Sequence, residues 1–214
     1  MGNTILFKRE DLQPIYSFKI RGAYNCISQL SQAQQASGLV AASAGNHAQG
    51  VAMSAKYLGI NATIVMPKTT PDIKVSSVRA LGAEVVLHGD SFAQAYAYSL
   101  TLVADQGLVY IHPFDDEHVI AGQGTVAVEL LRQVQGHVDA IFVPVGGGGL
   151  IAGMSVYIKY LRPDIKIIGV EPEDACCLKV ALGAGERLIL PEVGTFAEGV
   201  AVAQVGKLNF ELAQ

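Results

Sequence analysis

Apolar residues along this chain recur with two different periods. Short runs rich in valine and isoleucine alternate with longer stretches in which apolar positions return every three or four residues. Phe92, Ala95, Tyr96, Ser99, Leu102 and Val103 make one helical stripe, and Leu150, Ile151, Met154, Tyr157, Ile158 and Leu161 make another. The pattern predicts strands at 4–7, 38–42, 62–66, 83–87, 108–111, 138–143 and 165–170. It predicts helices at 17–34, 46–58, 72–81, 91–104, 116–134, 150–161 and 175–182, and residues 208–213 read as the first turns of another. Wholly apolar strands are those of a parallel sheet covered on both faces. The alternation therefore predicts an α/β protein with parallel sheets and mostly right-handed crossovers. Ligands in such folds sit at the carboxyl ends of the strands. No repeat, low-complexity tract or flexible linker marks a domain boundary.

Composition narrows the classes. Of 214 residues, 50% are hydrophobic and 16% charged, which describes a chain that buries a core rather than a disordered one. The net charge is −4 with no basic block, so a nucleic-acid partner is not expected. Cys26, Cys176 and Cys177 are odd in number, and two are adjacent; they read as small apolar helix residues, not a disulfide framework. No CxxC or HExxH spacing points to a metal. Residues 140–158 lack charge, but Pro144 and four consecutive glycines rule out a membrane-spanning helix there. The N-terminus has no signal-peptide layout, because charges precede any long apolar run. The expectation is a cytoplasmic metabolic protein without a membrane partner.

Three segments carry candidate chemistry. In Ser17-Phe18-Lys19-Ile20-Arg21-Gly22-Ala23, Lys19 stands at the start of a helix with Ser17 as a candidate N-cap. It is either a solvated surface charge or an amine whose partial desolvation makes it nucleophilic near neutral pH. Gly146 to Gly149 lie between a strand and a helix. They are either a flexible loop or a set of N–H groups converging on an anion at a helix N-terminus. No Lys-Ser/Thr follows, as a Walker loop requires, and the early position of a dinucleotide fingerprint is missing, so a small phosphate fits best. Ser43-Ala44-Gly45-Asn46-His47-Ala48-Gln49-Gly50 also opens a helix, as a simple capping turn or as a clamp for a carboxylate. His112 to Asp116 read as a strand end and helix cap rather than a metal cluster. The Glu171 carboxylate reads as a partner for nearby backbone.

Lys-Arg-Glu-Asp at 8–11, the segments 17–23 and 43–50, Gly-Gly-Gly-Gly-Leu at 146–150 and Phe-Ala-Glu-Gly-Val-Ala-Val at 196–202 occur in register. Together they resemble the fold-type-II pyridoxal phosphate enzymes, most of all the threonine dehydratases (threonine ammonia-lyases). The resemblance covers essentially the whole chain and implies a tryptophan synthase β-like architecture. A larger domain would be formed by 1–40 with 121–214 and a smaller one by 41–120, with the cofactor pyridoxal 5′-phosphate between them. It implies that Lys19 is the Schiff-base lysine and catalytic base. Phe18, Asn46, Gly146, Gly147, Gly148, Gly149, Leu150 and Gly199 would bind the cofactor, Asn46 at the ring hydroxyl. Ser43, Gly45, Asn46 and His47 would surround the carboxylate of a small amino-acid substrate. The implied reaction is dehydration and deamination of L-threonine, with L-serine as a second substrate; the alternatives are a non-catalytic remnant that folds and binds the cofactor, or another fold-type-II lyase acting on serine or cysteine derivatives. The 196–202 segment looks more like isoleucine-biosynthesis members. Related racemases tend to carry a serine where Ala44 stands, so elimination is favoured. A homo-oligomer is expected. Members of the family extend beyond both ends of this sequence, so the chain is expected to be an incomplete catalytic region.

Overall fold

The computed structural model describes residues 2–214. The order of elements is α1 (Lys19–Ser28), α2 (Gln32–Ser37), β1 (Leu39–Ala42), α3 (Asn46–Leu58), β2 (Ala62–Met66), α4 (Asp72–Ala80), β3 (Glu84–Leu87), α5 (Phe92–Gln106), β4 (Val109–Tyr110), α6 (Glu117–Gln133), β5 (Ala140–Pro144), α7 (Gly149–Leu161), β6 (Lys166–Val170), α8 (Cys177–Ala184) and α9 (Lys207–Ala213). The first sheet is parallel in the order β3-β2-β1-β4, with Leu39 paired to Ala62 on one side and Val109 on the other. Central β1 is buried throughout because alternate residues feed opposite layers. Leu39 and Ala41 pack with Ala48 and Val51 of α3, while Val40 and Val65 meet Ala95 and Leu102 of α5.

The second sheet is the parallel pair β5–β6, with Ile141 opposite Ile167. Ile141 and Val143 turn into a core with Val126, Met154, Ile158, Leu178 and Phe210. Helix α1 packs against both α3 and α6 and so joins the two sheets through one helical layer. Backbone-close crossings make this possible. A Cβ on Gly122 would lie 2.5 Å from the Arg21 carbonyl oxygen, and one on Gly153 2.2 Å from that of Ile120. Arg21 also grips Glu10 through Nε (2.7 Å) and Glu129 through Nη1 (2.7 Å), and Lys8 reaches Glu129 at 2.6 Å. The segment around residues 8–10 is thereby fastened onto α1 and α6.

Three sequence expectations are corrected. Residues 4–7 form no strand: no neighbouring strand pairs with them, and Ile5, Leu6 and Phe7 are exposed. The helix expected at 17–34 is two helices, because Ser31 and Gln34 make a capping box that starts α2 afresh. The second sheet is covered on one face only, leaving Phe142 68% exposed and Val170 50% exposed. Among the described residues no helix is long and apolar enough to cross a membrane.

Candidate active site

Lys19 is the first residue of α1, and its backbone N–H donates to Ser17 Oγ at 3.4 Å. The preceding turn is tight, with Tyr16 at φ 58. This turns the Lys19 side chain inward, where Nζ donates to the Pro113 carbonyl at 2.8 Å and sits 5.5 Å from the Phe18 ring centroid. Loss of hydration pulls its pKa down to about 8, so far more of it is neutral at physiological pH than of an ordinary lysine. A cavity of about 70 Å³ brings Lys19 and Phe18 together with Gly146, Gly147, Gly148, Gly149, Leu150 and Gly199. These residues come from three distant stretches of sequence.

The glycine run caps α7, with Gly148 left-handed at φ 92. The structure adds a second reason for the glycines. A Cβ on Gly147 would lie 2.3 Å from the Phe114 ring, and one on Gly149 2.9 Å from the Phe114 carbonyl oxygen. A Cβ on Gly148 would meet Asn209 at 2.9 Å and one on Gly146 would meet Val200 at 3.0 Å. Bare backbone is thus demanded by packing. The N–H groups at the start of α7 carry the positive end of a thirteen-residue helix dipole.

Ser43, Gly45, Asn46 and His47 stand at the start of α3 and do not line this cavity. Asn46 is exposed, and the Ser43 hydroxyl accepts from the Gly45 N–H at 3.2 Å. His47 is buried, and its Nε2 faces the Ile111 carbonyl oxygen at 2.9 Å, which makes that nitrogen the N–H donor. Burial first, and the nearby Lys19 charge second, push its pKa down to about 3, so the ring is neutral. Asp116 caps α6 through the N–H groups of His118 and Val119, and Glu171 accepts from Leu178 and Lys179 at the start of α8. Both carboxylates thus serve helix ends.

Gln123 was not singled out in the sequence, and Phe114 and Asp115 were read there only as part of a strand end and helix cap. Buried Gln123 lines the cavity and accepts the Gly22 N–H at 3.1 Å, fixing the first turn of α1 from α6. Its surroundings Gly122-Gln123-Gly124 were the available signal: a polar residue between glycines inside a helix marks a close crossing. Phe114 lies on the glycine loop, and Asp115 accepts from Lys207 and Leu208 at the start of α9. A larger hollow of about 590 Å³, lined by Phe142, Val170, Glu171 and Cys176, lies on the uncovered face of β5–β6, away from Lys19.

Residues 1–214 match the family described as pyridoxal-phosphate dependent enzyme. The biosynthetic L-threonine dehydratase of Salmonella typhimurium is 56% identical over all of this chain, which covers 41% of that protein. The solved structure of processed threonine deaminase isoform 2 from Solanum lycopersicum is 52% identical with a TM-score of 0.94, over 96% of this chain and 60% of that one. Serine racemase from Dictyostelium discoideum is 36% identical with a TM-score of 0.88, over 96% of this chain and 66% of its own. The chain thus spans about two fifths of the length of the curated relative it matches. A part-desolvated lysine facing a glycine-capped helix start, in an α/β fold shared with these proteins, places the chain in the family of pyridoxal-phosphate dependent enzymes.

Proposed function

We propose that this chain carries the cofactor site and much of the substrate site of an L-threonine dehydratase. The reaction converts L-threonine to 2-oxobutanoate and ammonia, with L-serine to pyruvate beside it. The meeting of Lys19 with Gly146–Gly149 in one cavity carries the reading. The donor set fits pyridoxal 5′-phosphate: an amine with pKa about 8 for the aldehyde, backbone N–H groups for the phosphate and Phe18 beside them. When bound, the cofactor supplies an aldehyde carbon and a ring that accepts electron density from the substrate.

Lys19 performs the proton work. With the cofactor in place, the Lys19 amine would hold it at its aldehyde, and Lys19 Nζ, once free, would accept the proton of the substrate α-carbon. Gly146 to Leu150 would hold the phosphate at the helix start, and Gly199, which lines the same cavity, would be available to the rest of the cofactor. We assign Asn46 to the ring hydroxyl. Ser43, Gly45, Asn46 and His47 hold the substrate carboxylate, where the first-turn N–H groups of α3 offer donors. Ala44 offers no hydroxyl for a second proton transfer, which favours elimination over racemisation. The cavity of about 70 Å³ is small beside the roughly 300–1,000 Å³ of ordinary ligand sites. Binding therefore requires the lining of this cavity to open.

The word biosynthetic in the names of the relatives supports a biosynthetic role, which the 196–202 segment leads us to place in isoleucine formation, and the two separate sheets support the division into 1–40 with 121–214 and 41–120. A cytoplasmic homo-oligomer completes the proposal. The test is to add pyridoxal phosphate, record the absorbance, reduce with borohydride and map the modified residue by mass spectrometry. L-Threonine is added to a parallel sample and 2-oxobutanoate followed. Label at Lys19 with keto-acid release supports the reading. Label without product leaves a cofactor-binding chain with no turnover, and label elsewhere overturns the assignment of Lys19.

A further inference from the structure

The glycine loop is held from behind by two buried side chains. The Cys177 thiol donates to the Gly146 carbonyl at 3.4 Å. The Gly147 carbonyl accepts from Asn209 Nδ2 at 2.7 Å and from the Gly206 N–H at 3.0 Å. Cys177 and Asn209 are both fully buried. In a trans peptide the carbonyl and the following N–H point in opposite directions. Drawing the carbonyls of Gly146 and Gly147 back toward α8 and α9 therefore turns the N–H groups of Gly147 and Gly148 the other way. Among the described residues no protein acceptor takes either N–H. The left-handed Gly148 then curls the chain so that successive N–H groups converge. Asn209 also donates to the Phe114 carbonyl at 3.1 Å, joining this support to the 113–114 segment on which Lys19 rests.

We infer that Cys177 and Asn209 are positioning residues that pre-orient the phosphate-binding N–H groups of the glycine loop. The inference rests on the reading of that loop as the phosphate site. A glycine peptide has no Cβ to limit its rotation, so the carbonyl anchors set its orientation. Donors ordered during folding bind an anion more tightly than donors that must be ordered on binding. A thiol that only filled space would be replaced equally well by alanine or serine. A thiol acting as a donor is replaced by serine alone.

The experiment compares the 214-residue chain with Cys177→Ala, Cys177→Ser and Asn209→Leu. Titration calorimetry gives Kd for pyridoxine 5′-phosphate, which has no aldehyde for Lys19, and for pyridoxine, which has no phosphate. Circular dichroism checks that each variant is folded. Cys177→Ala and Asn209→Leu are expected to weaken the phosphorylated ligand by roughly fivefold to tenfold and to leave pyridoxine unchanged. Cys177→Ser is expected to restore binding. Unchanged phosphate preference in folded Cys177→Ala and Asn209→Leu overturns the inference, as does parallel weakening of both ligands. If Asn209→Leu does not fold, the alanine–serine pair at Cys177 decides alone. If the unsubstituted chain shows no preference for the phosphorylated ligand, the phosphate reading of the loop falls and the inference with it.

Discussion

At Lys19 burial outweighs every other influence on the amine, drawing it from 10.5 to about 8. Competitive acetylation read by mass spectrometry is therefore expected to give Lys19 a midpoint near 8 instead of the ordinary 10.5. The linked effect on stability has a definite sign. The unfolded chain holds this proton up to about 10.5 and the folded chain only to about 8, so Lys19 makes stability rise with pH between those values. Lys19→Met should flatten that rise in urea titrations. Gln123 acts beside it by a different route. Gln123→Leu leaves the Gly22 N–H without its side-chain acceptor and should cost about 1–3 kcal/mol in urea unfolding. Lys19 was legible in the sequence because its neighbours form a motif. Gln123 was not: the glycines on either side of it hint at a close crossing, but only the crossing helix α1 shows what the glutamine holds.

Among the elements, glycine has opposite meanings in α7 and α8. Gly153 in α7 meets the carbonyl oxygen of Ile120 at 2.2 Å from its ideal Cβ position, whereas Gly183 in α8 meets nothing within 4 Å. Gly153→Ala should destabilise by about 1–3 kcal/mol through overpacking, and Gly183→Ala should stabilise by about 0.5–1 kcal/mol. Thermal unfolding of the two variants checks both, and equal shifts would refute the close crossing of α6 and α7. The same elements show what periodicity resolves. Helices α3 and α7 and strand β2 were readable nearly to the residue, because glycine or proline ends each pattern. The break between α1 and α2 was missed because Ser31 and Gln34 interrupt a polar stretch without altering its helical composition.

Across the molecule, the cluster of Lys8, Glu10, Arg21 and Glu129 ties the N-terminal segment to two helices. Hydrogen bonds from Arg21 and Lys8 hold the Glu129 carboxyl down to about 2. Its contribution to stability is present above its ordinary 4.5 and is lost as pH falls toward 2. Glu129→Gln should flatten this acid limb, and 1 M salt should shrink the difference, because the carboxylate is partly exposed. Phe142 projects from the uncovered face of β5–β6. Phe142→Thr is expected to leave the urea midpoint nearly unchanged while lowering the binding of an apolar dye.

From β1 onward the order of strands and helices, their parallel sense and the three chemistry-bearing segments were determined by the sequence itself. Each rests on local information: the period of apolar residues, the residues that stop a helix, and side chains adjacent in the chain. Which of those segments meet was decided by tertiary structure alone. Lys19 reaches the glycine loop because glycines at 122, 124 and 153 let α1, α6 and α7 approach backbone to backbone. The pull on its pKa, the one-sided cover of β5–β6 and the anchoring of the loop by Cys177 and Asn209 likewise depend on groups far apart in sequence. Desolvation and close packing act through space, and no pattern along the chain records them.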